Sequence, residues 1–498
     1  MHFVKKLDSQ CLLPVGLTAV LLFAGYLRCI NIQQSLWLDE LHTAWVVSGN
    51  VDDIVDRAAT GYTLATYFFL PYLSTRYFGQ TEFALRLPSL IASLLLVVVV
   101  YNFAYQTTRS NLAGFGAAML VAIEPNCIFY GQEARCYAVL QLIAMMQIAA
   151  AWQLWTRPSK GGARFIFVLC GLLLFAIHPT GVLQLVALAT TYLVGLTLGH
   201  RWKQPWHQWL YDQLMLLLVL LMMGFAISQD LTRHREQWAA IVHPISMPQL
   251  FENFPLLFAF ILASLAASPQ YQKSADGVVI PPRTSILLLS AFVIPLAIAL
   301  VATMVELAPL FHTRYVICTV APSAVLVCWL LRQVRPPFMR LIATAVIVAL
   351  LTAFYGWDFQ AATNRFQDWR QAIGQINAGR EPRLVYLRSG FMEAKNLEID
   401  AAKWKPLWLS PVKSIYRIDN KPVYPLPTAN AGRLTAQQAT TLLAAGGAWF
   451  LVCGTPDSVE EFLEELTESM KANGLSARAK VTPYGDVSVV RVYDVVRP

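Results

Sequence analysis

The feature that most constrains the fold is a series of apolar segments that continues to about residue 356. A helix needs about 20 apolar residues to cross a bilayer, since no water is available inside to hydrogen-bond an exposed backbone. The sequence therefore predicts a polytopic α-helical membrane protein. The candidate spans are 12–30, 83–106, 111–129, 134–156, 164–178, 180–198, 210–228, 251–269, 285–304, 315–332 and 340–356.

The charged residues divide the chain into two parts. Only 14% of all residues are charged, whereas about 25% is usual in a soluble protein. The last 142 residues hold 17 of the 38 Lys and Arg residues and 15 of the 30 Asp and Glu residues. We predict a transmembrane domain over 1–356 and a soluble domain over 357–498. Most of the net charge of +8 then lies in the membrane part, where it indicates topology and not nucleic-acid binding.

Segment 61–78 decides the topology. It is apolar but contains Pro71 and Arg76. If it lies flat in the outer interface as an amphipathic helix, basic residues such as Lys5, Arg109 and Arg201 fall in cytoplasmic loops, as the positive-inside rule requires. If it crossed the membrane, every later loop would invert. We therefore predict about eleven spans in the cell (inner) membrane, one interfacial helix, and an extracytoplasmic C-terminal domain.

The C-terminal domain has an α/β pattern. Short apolar runs predict strands, 3.6-residue periodicity predicts helices, and Gly485-Asp486 is a typical hairpin turn. The predicted strands are Arg383–Arg388, Ala448–Cys453, Val481–Tyr484 and Val487–Val496, and the predicted helices are Thr435–Ala445 and Ser458–Ala472.

Four loops on the predicted outer face carry unusual polar groups. Ionisable residues at membrane depth are costly, so they indicate function by default. Taken singly, each group also has a structural explanation, such as a hydrated loop, a helix-end histidine or an interfacial anchor. Their convergence on one face favours a site. The groups are Asp39-Glu40, the stretch Gln132 to Tyr137, His178-Pro179, and His312 with Arg314 and Tyr315.

These residue types suit transfer of a group from a lipid-anchored donor to an acceptor. A carboxylate of Asp39 or Glu40 would deprotonate an acceptor hydroxyl or amine. Arg135 and Arg314, with Arg86 as a further candidate, would bind a phosphate leaving group and offset its growing charge. The eight cysteines show no metal-ligand spacing. No metal site is predicted, although clustered carboxylates could hold a divalent ion.

The order of several short motifs resembles the GT-C membrane glycosyltransferases. The most similar subgroup is the RgtA/B/C/D-like branch of the protein-mannosyltransferase and aminoarabinose-transferase superfamily, glycosyltransferase family 39 in the broad sense. The resemblance covers residues 1–356 well and the remainder loosely. The motifs are WLDE after the first span, TEFALRLPSL (81–90), FYGQEARCYAVL (129–140), HPTGVL (178–183), HTRY (312–315) and QDWRQAIGQI (367–376).

The resemblance implies a polyprenyl-phosphate-linked sugar donor and a glycan, lipid or protein acceptor. Transfer would take place on the extracytoplasmic face, with inversion at the anomeric carbon. It implies that Asp39 is the catalytic base with Glu40 beside it, and that Arg86 is a motif arginine whose main role is helix packing. The residues implied to line the site are Glu133, Arg135, Tyr137, His178, Arg314 and Tyr315.

One element departs from the family pattern. Many members carry His-Pro-Pro or Lys-Pro where this chain has Thr60 to Leu64, so the usual basic contact to the donor phosphate is missing. Arg57 could substitute. Two other functions stay open: a membrane transporter or lipid flippase, and a catalytically silent GT-C-like scaffold. Transporters commonly show internal repeats and helices broken at the midplane, and the sequence shows no repeat.

Overall fold

The computed structural model is mostly helical, with one small sheet near its C-terminus. It describes residues 2–61, 63–157, 161–233, 254–267, 282–334, 336–354, 366–381, 384–391, 394 and 401–497. The helices are α1 (His2–Cys29), α2 (Leu38–Val47), α3 (Asp53–Thr60), α4 (Phe69–Phe78), α5 (Glu82–Thr108), α6 (Asn111–Ile123), α7 (Pro125–Gly131), α8 (Tyr137–Thr156), α9 (Gly161–Ile177), α10 (Gly181–Thr197), α11 (Trp206–Arg233), α12 (Pro255–Ala267), α13 (Pro282–Met304), α14 (Val320–Gln333), α15 (Pro337–Phe354), α16 (Trp369–Ala378), α17 (Ala401–Trp408), α18 (Ala436–Ala444) and α19 (Pro456–Ala472). The strands are β1 (Val385–Arg388), β2 (Val423–Pro425), β3 (Gly447–Cys453), β4 (Ser476–Tyr484) and β5 (Val487–Val496).

Apolar helices occupy the predicted spans. Within the described residues, three helices are long and apolar enough to cross a membrane, namely Glu82–Thr108, Tyr137–Thr156 and Arg283–Met304. The bent pair α6 and α7 makes a fourth, and shorter apolar helices cover most of the other segments. The number of eleven spans stays a prediction. Residues 251–253, 268–269 and 355–356 of the predicted spans, and Arg383 of the predicted first strand, lie outside the described residues.

The bend between α6 and α7 is held by buried polar side chains. The two helix axes differ by 61°, and Glu124 caps α7 by accepting a hydrogen bond from the Cys127 N–H at 2.7 Å. The last carbonyls of α6 have no partner inside the helix. The buried Arg28 guanidinium donates to the carbonyls of Ala122 and Val121 at 2.9 and 3.1 Å. A charged group deep in this helical part therefore satisfies the broken backbone.

Within segment 61–78, Ala65–Phe68 form a 3-10 helix that leads into α4, whose apolar side is exposed. Helix α4 has ten residues, about 15 Å at 1.5 Å per residue, which is half the thickness of a bilayer core. Leu73 and Tyr77 are exposed on one side, whereas Ser74 and Thr75 are buried on the other. This inverted polarity fits a helix that contacts lipid along its side, and it supports the expectation that the segment does not span.

The chain divides into two compact units. The first contains Met1–Ile30 and Pro88–Thr363, and the second contains Asn31–Leu87 and Asn364–Pro498. The loop and short helices after the first apolar segment therefore belong with the C-terminal residues. We call these the helical unit and the mixed unit. The domain division after residue 356 stays a prediction.

The mixed unit contains a five-stranded sheet in the order β2-β1-β3-β5-β4. Strand β1 is parallel to β2 and β3, and β5 is antiparallel to β3 and β4. All seven residues of β3 are buried, as expected for a central strand that is covered on both faces. Helix α19 packs on the sheet through Val459, Phe462, Leu466 and Met470, which recur at helical spacing on one face.

The predicted hairpin turn joins β4 to β5 at Gly485 and Asp486. Gly485 has φ +67°, and a Cβ atom there would lie 1.9 Å from the Phe366 carbonyl oxygen. That same carbonyl accepts a hydrogen bond from the Asp486 N–H at 2.6 Å. Only glycine fits both the left-handed conformation and the close approach of the backbone.

Candidate active site

Asp39 and Glu40 lie in the first turn of α2, in the mixed unit. The helix begins after Trp37, so the two acids occupy its second and third positions. The Trp37 N–H donates to Oε2 of Glu40 at 3.4 Å, as in a capping box. Negative side chains are favoured at this end of a helix by the backbone dipoles. The two neighbours nevertheless have different surroundings.

Glu40 is completely buried and paired with Arg86. The arginine donates from Nε to Oε1 at 2.8 Å and from Nη2 to Oε2. It also donates from Nη1 to the carbonyls of Ile32 and Gln34, both at 2.8 Å, and from Nη2 to the Ser35 carbonyl at 3.3 Å. A guanidinium has five N–H groups, and these contacts use all five. Arg86 therefore fastens the loop before α2 and has no donor left for a ligand phosphate.

The loop before Asp39 is also held by residues from the C-terminal part of the mixed unit. The Leu36 N–H donates to the Tyr416 hydroxyl at 2.9 Å. The Leu38 N–H, one of the helix N-terminal groups without an intrahelical partner, donates to Oε1 of Gln367 at 3.0 Å. Asp39 itself is half-buried. The half-buried carboxylate thus follows a backbone segment that is held at Leu36 and Leu38.

Tyr416 links this loop to a second ion pair. Its hydroxyl donates to Oε1 of Glu82 at 2.9 Å, and the same oxygen accepts from Nη2 of Arg370. Arg370 also donates to the Gln33 carbonyl at 2.7 Å. Burial and the nearby Glu82 carboxylate raise the pKa of Tyr416 to about 12. The phenol stays protonated, which lets it accept from Leu36 and donate to Glu82 at once.

The departing element at Thr60–Leu64 follows the end of α3. A Cβ atom at Gly61 would lie 2.2 Å from Nε2 of His42, a buried residue of α2. A side chain at position 61 would therefore displace that ring. Tyr62 lies outside the described residues.

In the helical unit, three of the predicted residues lie in the turn before α8 and at the start of that helix. Glu133 and Tyr137 are buried, and Arg135 is half-buried. The Ser89 hydroxyl donates to the Arg135 carbonyl at 3.0 Å. Gln132 fastens the same turn by donating to two carbonyls at the end of α1 and just after it, at 2.9 and 2.7 Å.

An aromatic cluster gathers four predicted residues of the helical unit. The His178 ring lies 5.7 Å from the rings of Tyr137 and Tyr315, measured between centroids. The Arg314 guanidinium lies 5.1 Å from the centre of the Tyr315 ring. Such cation–π contacts favour an arginine held over the face of an aromatic ring. A planar, cationic and aromatic surface of this kind suits a sugar phosphate.

His178 lies in the turn between α9 and α10. Helix α9 ends at Ile177, and α10 begins at Gly181. Nδ1 of His178 accepts a hydrogen bond from the Thr180 N–H at 3.3 Å, which leaves the ring proton on Nε2.

The structure thus groups the predicted residues within each unit. The mixed unit holds Asp39 with the pair Glu40 and Arg86, and the helical unit holds the arginine, histidine and tyrosine cluster together with Glu133. Within the described residues, no three His, Cys, Asp or Glu side chains are grouped as metal ligands. Sequence reasoning missed Tyr416 and Glu82. Glu82, Gln367 and Arg370 lie inside the quoted motifs. Tyr416 lies in no motif, so no sequence pattern could have identified it.

Neither comparison of the sequence, with protein-family models or with curated proteins, gave a match. Comparison of the structure with solved structures gave matches. ArnT from Cupriavidus metallidurans in the apo state is similar, with a TM-score of 0.57 and 10% identity, over 97% of this chain and 98% of that chain. The same protein bound to undecaprenyl phosphate has a TM-score of 0.57 and 11% identity, over 96% and 97%.

A second kind of solved structure is also similar. The archaeal oligosaccharyltransferase AglB from Archaeoglobus fulgidus, in complex with an inhibitory peptide and a dolichol-phosphate, has a TM-score of 0.52 and 10% identity, over 95% of this chain and 74% of that chain. These similarities confirm the fold expected from the motif order. The chain has the fold of the GT-C membrane glycosyltransferases.

Proposed function

We propose that this protein is a membrane glycosyltransferase that moves a sugar from a polyprenyl phosphate to an extracytoplasmic acceptor. The observation that carries the proposal is the similarity, over 96% of the chain, to a structure of ArnT bound to undecaprenyl phosphate. The transferred group would be a hexose or a pentose, and the acceptor a glycan, a lipid or a protein. The protein would lie in the inner membrane with its C-terminal domain on the extracytoplasmic side.

Asp39 is the proposed general base. It would take the proton from the acceptor hydroxyl or amine as that atom attacks the anomeric carbon. The polyprenyl phosphate would leave from the opposite face, so the configuration inverts. Asp39 suits this role because it is half-buried at the start of α2, directly after a loop that four partners fix. Glu40 was the other candidate, but both of its carboxylate oxygens bond to Arg86. We assign Glu40 and Arg86 to positioning.

We assign binding of the donor phosphate to Arg135 and Arg314. Phosphate oxygens accept charge-assisted hydrogen bonds from guanidinium groups, and these bonds strengthen as negative charge grows on the leaving group. Tyr137, His178 and Tyr315 would provide ring faces for the sugar. His178 would offer its Nε2–H as a donor, because its Nδ1 accepts from the Thr180 N–H. Glu133 is assigned to holding this turn in place.

The test is a transfer assay with Asp39→Asn. Membranes that contain the protein are incubated with undecaprenyl phosphate carrying a ¹⁴C-labelled hexose or pentose, and label is followed from the lipid into the acceptor fraction. Loss of a general base costs about 10²- to 10⁴-fold in rate, so transfer should fall by that factor. Asp52→Asn, at an exposed acid in the same loop region, should transfer normally.

If the Asp39→Asn variant transfers the sugar at the wild-type rate, Asp39 is not the general base. A wild-type protein that moves the intact labelled lipid between leaflets without cleaving the sugar–phosphate bond would be a transporter. A wild-type protein that does neither, with any sugar, would be a scaffold.

A further inference from the structure

A polar cavity lies within the mixed unit, away from the first turn of α2. Its volume is about 410 Å³, within the range of about 300–1,000 Å³ that is usual for small-molecule sites. Helix α2 supplies Trp45, α3 supplies Arg57, and the segment from α17 onward supplies Lys405, Leu409 and Lys413.

The charged side chains that line this cavity are cationic, and one of them, Arg57, is paired with the neighbouring Asp53. Three cationic side chains line it, and no acidic side chain of the described residues does. Lys405 and Lys413 are exposed, so their ammonium groups can move towards a ligand. Clustered cations repel one another, and an anion bound among them removes that repulsion while gaining charge-assisted hydrogen bonds.

Arg57 gives the cavity a fixed wall. Its Nη1 donates to the Trp45 carbonyl at 2.8 Å and to the Ser48 hydroxyl at 3.1 Å. Its Nη2 pairs with Asp53 at 3.3 Å, and the guanidinium lies 5.4 Å from the centre of the Trp45 ring. Arg57 is therefore preorganised, whereas the two lysines are adaptable. An aromatic and an aliphatic residue beside three cations suit an anionic saccharide better than a bare ion.

The cavity lies on the same helix as the proposed base. Trp45 follows Asp39 by six residues, which is about 9 Å along the axis of α2 at 1.5 Å per residue. An oligosaccharide or a glycolipid headgroup can bridge that separation. The lysines come from the C-terminal part of the mixed unit, so this part would contribute to substrate choice.

We propose that this cavity is an acceptor subsite that binds a phosphate- or carboxylate-bearing sugar. That the bound sugar belongs to the acceptor rests on the proposed function. That the cavity binds an anionic sugar does not. Glucose 6-phosphate and glucuronate serve as probes, with glucose as the neutral comparison. Each is titrated by calorimetry into the full-length protein in phosphatidylcholine nanodiscs at low ionic strength, where charge attraction is least screened.

The wild-type protein should bind both anionic probes at least tenfold more tightly than glucose. The double variant Lys405→Gln/Lys413→Gln should weaken anionic binding at least tenfold. The matched control Lys471→Gln/Lys480→Gln removes two exposed charges of the same unit outside the cavity and should bind as wild type does. Equal affinity for glucose and glucose 6-phosphate, or an equal loss in the control, would overturn the proposal.

Nanodiscs that contain phosphatidylglycerol identify the source of the anion. If this lipid competes with glucose 6-phosphate, the subsite accepts lipid headgroups; if it does not, the subsite accepts a soluble or glycan anion. Because binding is measured without turnover, Asp39→Asn should bind the probes normally. Failure of the subsite and failure of the proposed base can therefore be told apart.

Discussion

Arg86 donates hydrogen bonds to both carboxylate oxygens of Glu40, and it uses its three remaining N–H groups on the backbone of residues 32–35. The two adjacent acids therefore have different surroundings. Glu40 is completely buried in an ion pair, whereas Asp39 is half-buried. The consequences of this difference can be measured.

Glu40→Gln should destabilise the protein. The substitution leaves the buried Arg86 charge without its counter-charge, and breaking one side of a buried pair costs about 3–5 kcal/mol. The thermal midpoint in detergent should fall clearly, while Glu468→Gln, at an exposed acid, should leave it unchanged. A Glu40→Gln protein with wild-type stability and no transfer would instead make Glu40 a chemical participant.

Tyr416→Phe should lower the rate of transfer without changing the affinity for the donor. The variant removes the acceptor of the buried Leu36 N–H, and an unsatisfied buried group costs about 1–3 kcal/mol. The loop that bears Asp39 would lose one of its fixed points. We expect kcat to fall while the donor KM holds. Tyr424→Phe, at a half-exposed tyrosine of the same unit, is the matched control. A raised donor KM with unchanged kcat would contradict the positioning role.

Arg314→Gln should weaken donor binding as well as slow transfer, whereas Asp39→Asn should slow transfer alone. Hydrogen bonds to charged groups contribute about 1.5–3 kcal/mol, so loss of the guanidinium should raise the donor KM about 10- to 100-fold. Arg314→Lys keeps the charge and should recover part of the affinity. The control is Arg201→Gln at an exposed position. If Arg314→Gln leaves the donor KM unchanged, the phosphate contact lies elsewhere.

Local patterns in the sequence predicted much of the mixed unit. The buried run at 448–453, the spacing of apolar residues over 458–472 and the Gly485-Asp486 turn each act over a few residues, and the structure contains all three elements. Strand β2 was missed because it has three residues and ends in Pro425, and an edge strand this short leaves no periodicity to read.

The candidate site was harder to predict than the elements. Motif order assigned the base to Asp39 with Glu40 beside it, but it could not reveal that Glu40 is paired with Arg86, 46 residues later. Tyr416 is 380 residues from Leu36 and stands in no motif. Pairings over such distances depend on the folded backbone, which a single sequence does not reveal.

Residues 33–38 are held by Gln367, Arg370 and Tyr416, which the ribosome adds much later. The early loop can therefore reach its final structure only after these residues have been synthesised. A ribosome adds about 5–20 residues each second, so Tyr416 emerges about 20–80 s after Leu36. Through that interval the early loop has none of these late partners. The nascent chain can place its apolar helices in the membrane well before the segment that bears Asp39 is complete. A growing polypeptide of this protein is therefore expected to be catalytically silent until the final quarter of the chain has been made and folded.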